Sequence, residues 1–247
     1  MLDEHQRLPE ELVMAIIEEA WHSPMSVPER IHSMTSFPLV STLWFRVYTL
    51  ISFRDIHVPS LRFLEHYKEL VLKANQDRDW AYKRYGYLPS GICKSIVVEP
   101  QAESGLVFDA VARMVKHDHD CLHTLVHVND EFHAGDIFDT WTYRNVPPQI
   151  TFLELRFMGR ANMQSNKNLS TLLSRGRHNV AWAIPNLRCL TIIGGDEEFL
   201  RHFLPAIVYR DLAMLVTDFP VKLHDIDFRF GNHKIYTLPP NLKHRQL

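Results

Sequence analysis

The densest group of side chains that could bind a metal lies between His117 and His127. Four histidines, at positions 117, 119, 123 and 127, occur there together with Cys121. Their spacing matches no closed zinc pattern, and His123 and His127 would share a face only on a helix, whereas residues 124–128 have the apolar pattern of a strand. The sequence therefore favours a polar loop between a helix and a strand, and we expect neither a metal nor another cofactor.

The chain offers no obvious catalytic nucleophile or acid–base pair. It has no G-x-S-x-G elbow, and no cysteine or serine has neighbours that would supply a base. Asp109, Asp130 and Glu131 have the context of ordinary solvated carboxylates. Gly194 and Gly195 precede a helix, where free amides could bind an anion, but the acids that follow favour capping of that helix. We therefore expect a protein without catalytic residues rather than an enzyme.

Aromatic and basic residues alternate between Trp80 and Tyr87, an arrangement that could stack nucleobases. The whole chain, however, has 27 Lys and Arg against 29 Asp and Glu, and its formal charge is -2. Such a balance gives no reason to expect a nucleic-acid or anionic-membrane surface. The cluster is better explained as an aromatic cover over the first strand of the C-terminal array, where it would pack the junction between the two modules. We expect partners that are proteins, with no nucleic acid and no membrane.

Composition indicates a folded globular chain. Of its 247 residues, 46% are hydrophobic and 23% are charged. Cys93, Cys121 and Cys189 are widely spaced and form no C-x-x-C pair, which favours reduced, buried thiols. No run approaches the ~18 apolar residues of a membrane span, and the first residues lack a basic stretch before an apolar run. These features predict an intracellular protein, cytoplasmic or nuclear.

Three short amphipathic helices are predicted in the first fifty-odd residues. Pro9 can open a helix over 9–21, Pro28 can open a second that carries Ile31, Met34 and Phe37, and Pro38 can open a third over 38–51. A further helical stretch after residue 59 fades into the polar run 75–79. We interpret residues 58–89 as a helical linker or junction.

Beyond residue 90, short apolar runs alternate with helical segments. The predicted strands are 95–98, 124–128, 151–157, 188–193 and 225–230, spaced about 27 to 37 residues apart. The predicted helices between them are 104–117, 168–182 and 197–218. Several strands follow a proline and an apolar residue, as in Pro185-Asn186-Leu187. The alternation favours a degenerate strand-helix solenoid, although a doubly wound α/β domain would alternate similarly.

The N-terminal sequence Leu8-Pro9-Glu10-Glu11-Leu12, followed by Ile16 and Ile17 and then by Leu39-Val40-Ser41-x-x-Trp44, resembles the F-box motif. An F-box start before loosely leucine-rich units is similar to the F-box-like proteins of mushroom-forming fungi. The segment from Ser23 to Pro28 is longer than in the usual F-box. The resemblance implies an α+β or α/β fold with a three-helix F-box-like module at 1–57 and a leucine-rich-repeat-like solenoid at 90–247.

The resemblance also implies a function. F-box proteins dock on a Skp-family adaptor of a cullin-RING ubiquitin ligase and present a protein substrate, here unknown, for ubiquitination. Matching the motif position by position gives the partner-binding or module-defining residues Leu8, Pro9, Leu12, Ile16, Val40 and Trp44. Two alternatives remain open: a non-catalytic repeat scaffold without adaptor binding, and a metal-dependent α/β enzyme that uses the histidine group at 117–127.

Overall fold

A computed structural model describes residues 8–100, 104–119, 121–129, 146–158, 182–208, 212–221 and 234–237. These residues form an α/β fold of helices and parallel strands. The helices are α1 (Glu10–His22), α2 (Val27–Val40), α3 (Thr42–Arg54), α4 (Leu61–Gln76), α5 (Arg78–Tyr85), α6 (Pro89–Ile92), α7 (Ser104–Asp118) and α8 (Glu197–Ala206). The strands are β1 (Asp55–Val58), β2 (Ser95–Val98), β3 (Thr124–Asn129), β4 (Phe152–Phe157), β5 (Trp182–Ala183), β6 (Cys189–Ile193), β7 (Ile207–Val208), β8 (Met214–Thr217) and β9 (Lys234–Thr237).

Helices α1, α2 and α3 form an N-terminal helical unit with a small core of its own. Val13, Ile17 and Trp21 recur every four residues on α1, so they share one face, which packs against Val47 and Ile51 of α3. Helix α2 begins with a capping box, in which the Glu29 carboxylate accepts a hydrogen bond from the Ser26 amide at 2.8 Å.

The third helix begins later than the sequence predicted. Pro38 does not open it but lies within the last turn of α2, where a missing backbone donor removes only one helical hydrogen bond. The chain turns instead at Ser41, which is extended (φ -167°) and accepts a hydrogen bond from the Trp44 amide at 3.3 Å. Ser41 is therefore the N-cap of α3, because its hydroxyl satisfies an amide that has no partner within the helix.

Seven of the described strands form one parallel sheet, and their order in it is β1, β2, β3, β4, β6, β8, β9. The two short strands β5 and β7 pair separately. One register position is aliphatic across the whole sheet: Ile56, Ile96, Leu125, Leu153, Leu190, Leu215 and Ile235. This row belongs to the large core, which α4, α7 and α8 complete from the same side. Burial of this row fixes the register, because a slip of one residue would turn it to the other face.

The strands predicted at 95–98, 124–128, 151–157 and 188–193 are confirmed as β2, β3, β4 and β6, with small changes of boundary. The helix predicted over 197–218 is wrong in its second half. Helix α8 ends at Ala206, and residues 214–217 form β8 beside β6. The apolar run there has no clear period, so strand pairing decides its conformation. The strand predicted at 225–230, and residues 168–181 of a predicted helix, lie outside the described residues.

Strand β1 was not predicted from the sequence, and it lies where the sequence predicted a boundary between two modules. The boundary predicted at residue 57 falls inside this strand, which pairs in register with β2. The predicted linker supplies α4, whose Leu64, Tyr67 and Val71 belong to the large core. Residues 58–89 are thus part of the α/β fold. No helix within the described ranges is long and apolar enough to span a membrane.

Candidate protein-binding surface

Helix α1 carries apolar side chains on two neighbouring faces, and only one of them is buried by the chain itself. Ile17 is fully buried, whereas Ile16 is 45% exposed and Leu12, one turn earlier, is 52% exposed. Leu8, just before the helix, is also exposed. The apolar part of α1 is therefore wider than the face that the chain covers, and exposed apolar residues grouped in this way are typical of binding sites.

The C-terminal end of α2 adds a second exposed apolar group. Leu39 is 83% exposed and Val40 is 59% exposed, while Met34 and Phe37 of the same helix pack against the small core. Ile31, which the sequence placed with Met34 and Phe37, is exposed instead. Helices α1 and α2 both pack on α3, and we refer to their exposed apolar side chains collectively as the N-terminal apolar surface: Leu8, Leu12, Ile16, Ile31, Leu39 and Val40.

The six residues predicted from the motif fall into two classes. Leu8, Pro9, Leu12, Ile16 and Val40 are exposed. Trp44 is half-buried, and its ring lies 5.9 Å from that of Phe37 between centroids. Trp44 therefore packs within the helical unit, against the small core.

Two residues of the surface, Ile31 and Leu39, were not among the predicted site residues. Leu39 stands in the quoted motif directly before Val40, so the motif itself held a signal for it. Ile31 had no such signal, because an isoleucine at helical spacing is ordinarily a core residue.

Pro9 is exposed, and it also serves the fold at the start of α1. It occupies the N-cap position of α1, where its carbonyl oxygen accepts from the amides of Leu12 and Val13, both at 3.1 Å. Beside the first turn, Arg46 of α3 forms an exposed ion pair with Glu10 of α1. Charged groups therefore lie beside the apolar row on α1, as polar residues do at the rim of a protein interface.

A buried charged cluster joins the helical unit to the sheet. Arg30 of α2 is 4% exposed, and its Nε lies 3.5 Å from Oε1 of Glu99, the residue after β2. The same oxygen is 2.6 Å from Nδ1 of His57 on β1. Burial lowers the pKa of His57, and the nearby Arg30 acts in the same direction, although Glu99 opposes both. His57 is therefore kept uncharged while it pairs with the Glu99 carboxylate.

A second, partly buried network lies around Asp55, the first residue of β1. Arg54 Nε donates to Asp55 Oδ2 at 2.6 Å, and the Ser95 hydroxyl donates to Asp55 Oδ1 at 2.7 Å. Burial by itself would raise the pKa of Asp55, but these hydrogen bonds outweigh it and hold the pKa below its usual value. Arg54 also donates to Glu18 of α1 at 2.6 Å. The network thus connects α1, the end of α3 and the first two strands.

The aromatic and basic cluster at 80–87 packs against α3 of the helical unit, whereas the sequence predicted that it would cover the first strand of the array. Tyr85 contacts Phe53 of α3 edge-on, with ring centroids 5.3 Å apart. On the outer side, the Lys73 ammonium lies 4.2 Å from the Trp80 ring centroid. An open cavity of about 510 Å³ beside Trp80 is lined by Asp77, Asp79, Lys83 and Arg84. Its two acids and two bases give no preference for ligands of one charge.

Comparisons of the chain with protein-family models, with curated proteins and with solved structures found no match. The assignment of function therefore depends on the motif and on the geometry of the surfaces. The feature that could bind a partner is the N-terminal apolar surface. The helices that carry it are attached to the parallel sheet through the Arg30–Glu99 pair and through the hydrogen bond from Trp21 to Asp55.

The histidine-rich segment is distributed among different environments. His119 is buried, and its Nε2 lies 2.9 Å from the Tyr67 hydroxyl. His123 is exposed, with Nδ1 2.8 Å from the Thr124 hydroxyl. The side chains of His117 and His127 lie outside what the structure describes. Within the described part of the chain, no three His, Cys, Asp or Glu residues are grouped so that they could hold a metal ion.

Proposed function

We propose that this chain is an F-box-like adaptor, which docks on a Skp-family subunit of a cullin-RING ubiquitin ligase and presents a bound protein for ubiquitination. The observation that carries the proposal is the exposure of Leu12 and Ile16 beside the buried Val13 and Ile17. The small core is filled without them, so a partner that covers them gains hydrophobic free energy at about 25 cal/mol per Å² of apolar surface.

The position of these residues supports the same proposal. Leu8, Pro9, Leu12, Ile16 and Val40 are five of the six residues that the F-box resemblance gives as partner-binding or module-defining, and each is solvent-exposed. An amphipathic helix with an apolar row and a charged neighbour, here the Glu10–Arg46 pair, fits a groove on a protein partner. Trp44 has a different role in this proposal: it supports α2 from inside the helical unit through Phe37.

We further propose that the region from β1 onward is a degenerate leucine-rich-repeat-like array that binds the substrate. The described strands of the large sheet follow their order in the chain, without the reversal that a doubly wound sheet contains. Such an order is expected when each strand-helix unit packs only on its neighbours. The shared aliphatic register row supports equivalent positions in successive units.

The mechanism is proximity. An adaptor that holds a target at one site and the ligase at another raises the effective concentration of the target near the ubiquitin-charged enzyme. No residue of the adaptor has to make or break a bond. Orientation between the two sites then matters, because the target must present its lysines toward the enzyme.

The test is co-purification of the full chain with a Skp-family adaptor. Deletion of residues 1–57 would cut strand β1, so a substitution on the surface is the cleaner perturbation. We expect Leu12→Glu to abolish association. Leu72→Glu, at a similarly exposed leucine on α4, is the matched control and should leave association unchanged.

Absence of association with the unaltered chain would contradict the proposal and favour a scaffold without adaptor binding. Equal loss in Leu12→Glu and Leu72→Glu would contradict the placement of the binding surface. Circular dichroism of each variant separates lost binding from lost folding.

A further inference from the structure

Arg30 is the one buried residue of α2, a helix whose other side chains are partly or wholly exposed. Its guanidinium donates to the carbonyl oxygen of Trp21, and to that of Ser23 at 3.1 Å, both at the C-terminal end of α1. It also lies over the Trp21 ring, 5.5 Å from the centroid. These contacts direct Arg30 along the end of α1 and toward the sheet.

The sheet supplies the opposite charge. Glu99 is 6% exposed and lies directly after β2, where its amide donates to the Val58 carbonyl at 3.1 Å, so its backbone is fixed by the sheet. Its carboxylate faces both Arg30 and His57. The single carboxylate therefore connects α2 with the first two strands.

We propose that the Arg30–Glu99 pair is an orientation lock, which holds α2 at one angle relative to the sheet while α2 packs against α3. The guanidinium is planar and its two terminal nitrogens donate to the carbonyls of Trp21 and Ser23, which orients the group. Its Nε then faces Glu99 at 3.5 Å, an attraction between charges without a hydrogen bond. Side chains such as Met34 and Phe37, packed by apolar contact, restrict rotation much less sharply.

The cost of burying the pair supports a role in orientation. Two charges removed from water lose hydration, and their attraction often fails to exceed what apolar residues of similar volume would contribute. A buried ion pair is therefore weak evidence for a gain in unfolding free energy. Charged groups with directional donors, such as a guanidinium, do fix the orientation of the elements that they join. By this lock, Arg30 is a positioning residue for Leu39 and Val40 at the far end of α2.

The consequence for ligase binding rests on the proposed function, but the lock itself does not. If the N-terminal apolar surface docks on an adaptor, the lock sets the direction in which the sheet presents its substrate. If the chain binds no adaptor, α2 is still held at one angle. The deciding measurement is therefore made on the free protein.

The experiment is a pulsed electron-spin distance measurement between α2 and the sheet. One spin label is placed at Thr35→Cys, on the exposed side of α2, and the other on the native Cys121 near the start of β3. Cys121 is exposed, so the prediction of a buried thiol was wrong there. Cys93 and Cys189 are buried, which protects them from the label. In the otherwise unaltered chain we expect one narrow distance distribution.

Arg30→Met is expected to broaden this distribution or to split it, while Arg46→Met, which removes the exposed pair with Glu10, leaves it narrow. Should Arg30→Met not fold, Glu99→Gln gives the second test, because it keeps an acceptor for His57 and removes only the charge. We expect Glu99→Gln to broaden the distribution less than Arg30→Met.

The proposed lock would be contradicted if the distance distribution stayed narrow and unshifted in both folded Arg30→Met and Glu99→Gln. A lower unfolding free energy in these variants would not rescue it, because loss of stability does not show that the angle of α2 has changed. With an adaptor that binds the parent chain, we expect Arg30→Met to lower affinity about tenfold. Loss of adaptor binding by every form, parent included, would contradict the proposed function and leave the distance result standing.

Discussion

The indole Nε1 of Trp21 donates a hydrogen bond to the main-chain oxygen of Asp55 at 2.7 Å, which joins the last turn of α1 to the first residue of β1. The same ring lies edge-on to His57, with centroids 5.2 Å apart. Ile56 and Val58 face the large core on the other side of the strand, so Trp21 covers the side of β1 that α4 does not reach. One side chain thus belongs both to the small core and to the boundary of the sheet.

Trp21→Phe is expected to destabilise the chain by about 2 kcal/mol, because it keeps an aromatic ring but removes the donor to the partly buried Asp55 carbonyl and opens a small void. Urea denaturation followed by circular dichroism measures the change. Trp80→Phe, at a half-exposed tryptophan on α5, is the control and should change the unfolding free energy by less than about 1 kcal/mol. Equal losses in the two variants would contradict this role for Trp21.

Ile16 and Ile17 form a matched pair in which only exposure differs. Ile17→Ala should lower the unfolding free energy by about 2 to 5 kcal/mol, since Ile17 is fully buried. Ile16→Ala should lower it by less than about 1 kcal/mol but should weaken adaptor binding measurably. Denaturation and calorimetric titration with the adaptor give the two readouts. A large stability loss in Ile16→Ala would show that this residue serves the fold.

The buried His57 should make the unfolding free energy fall as pH drops below about 6.5, the pKa of histidine in an unfolded chain. Its pKa in the folded chain lies below the value of about 6.5 in an unfolded chain, so the unfolded chain binds more protons there. The contribution of His57 to the unfolding free energy is fully present above the pKa of the unfolded chain. It is lost as the pH falls from that value toward the lower pKa of His57 in the folded chain. His57→Gln, which keeps a donor for Glu99, should flatten this dependence, as measured by urea denaturation at several pH values.

The exposed His123 provides the control for the pH experiment. His123→Gln should leave the slope of stability against pH unchanged. Asp55, whose pKa is also lowered, contributes only in a more acidic window, below about pH 4. An unaltered slope in His57→Gln would show that another group carries the dependence.

Gly194, directly after β6, has a positive φ of 73°, and a Cβ there would lie 2.0 Å from the Phe157 carbonyl oxygen. We expect Gly194→Ala to cost at least about 2 kcal/mol of unfolding free energy, because both the backbone conformation and the clash oppose the side chain. Gly91→Ala is the matched control, since its nearest new contact is an ordinary 3.7 Å to Leu88. Thermal denaturation compares the two, and similar midpoints would contradict the expectation.

The apolar strands were predictable because their sequences contain the signal. Ser95–Val98 and Cys189–Ile193 are short apolar runs between breaks, and burial on a parallel sheet requires little else. The start of α1 after Pro9 was predictable for a similar local reason. Local sequence therefore identified most of the described sheet and the first helix.

The remaining features depend on contacts between distant residues. Strand β1 contains Asp55 and His57, which fit a strand only because Ser95 and Glu99 pair with them from about forty residues away. Arg30 is buried although arginine is ordinarily exposed, because Glu99 and the α1 carbonyls surround it. Neither partner is recognisable from the sequence around Asp55 or Arg30. The exposed side of α1 was recoverable from the motif, and the exposure of Ile31 was not.

The absence of any loop between α3 and β1 bears on how this chain can be recombined. Arg54 ends the helix and Asp55 begins the strand, so the peptide bond between them is the connection. A chimera that transplants the three helices onto a foreign scaffold has to include β1, and the recipient must offer an edge that can accept a parallel strand. The junction of such a chimera is best placed after Pro59. A graft made there transfers the three helices together with β1, the strand that attaches them to a sheet.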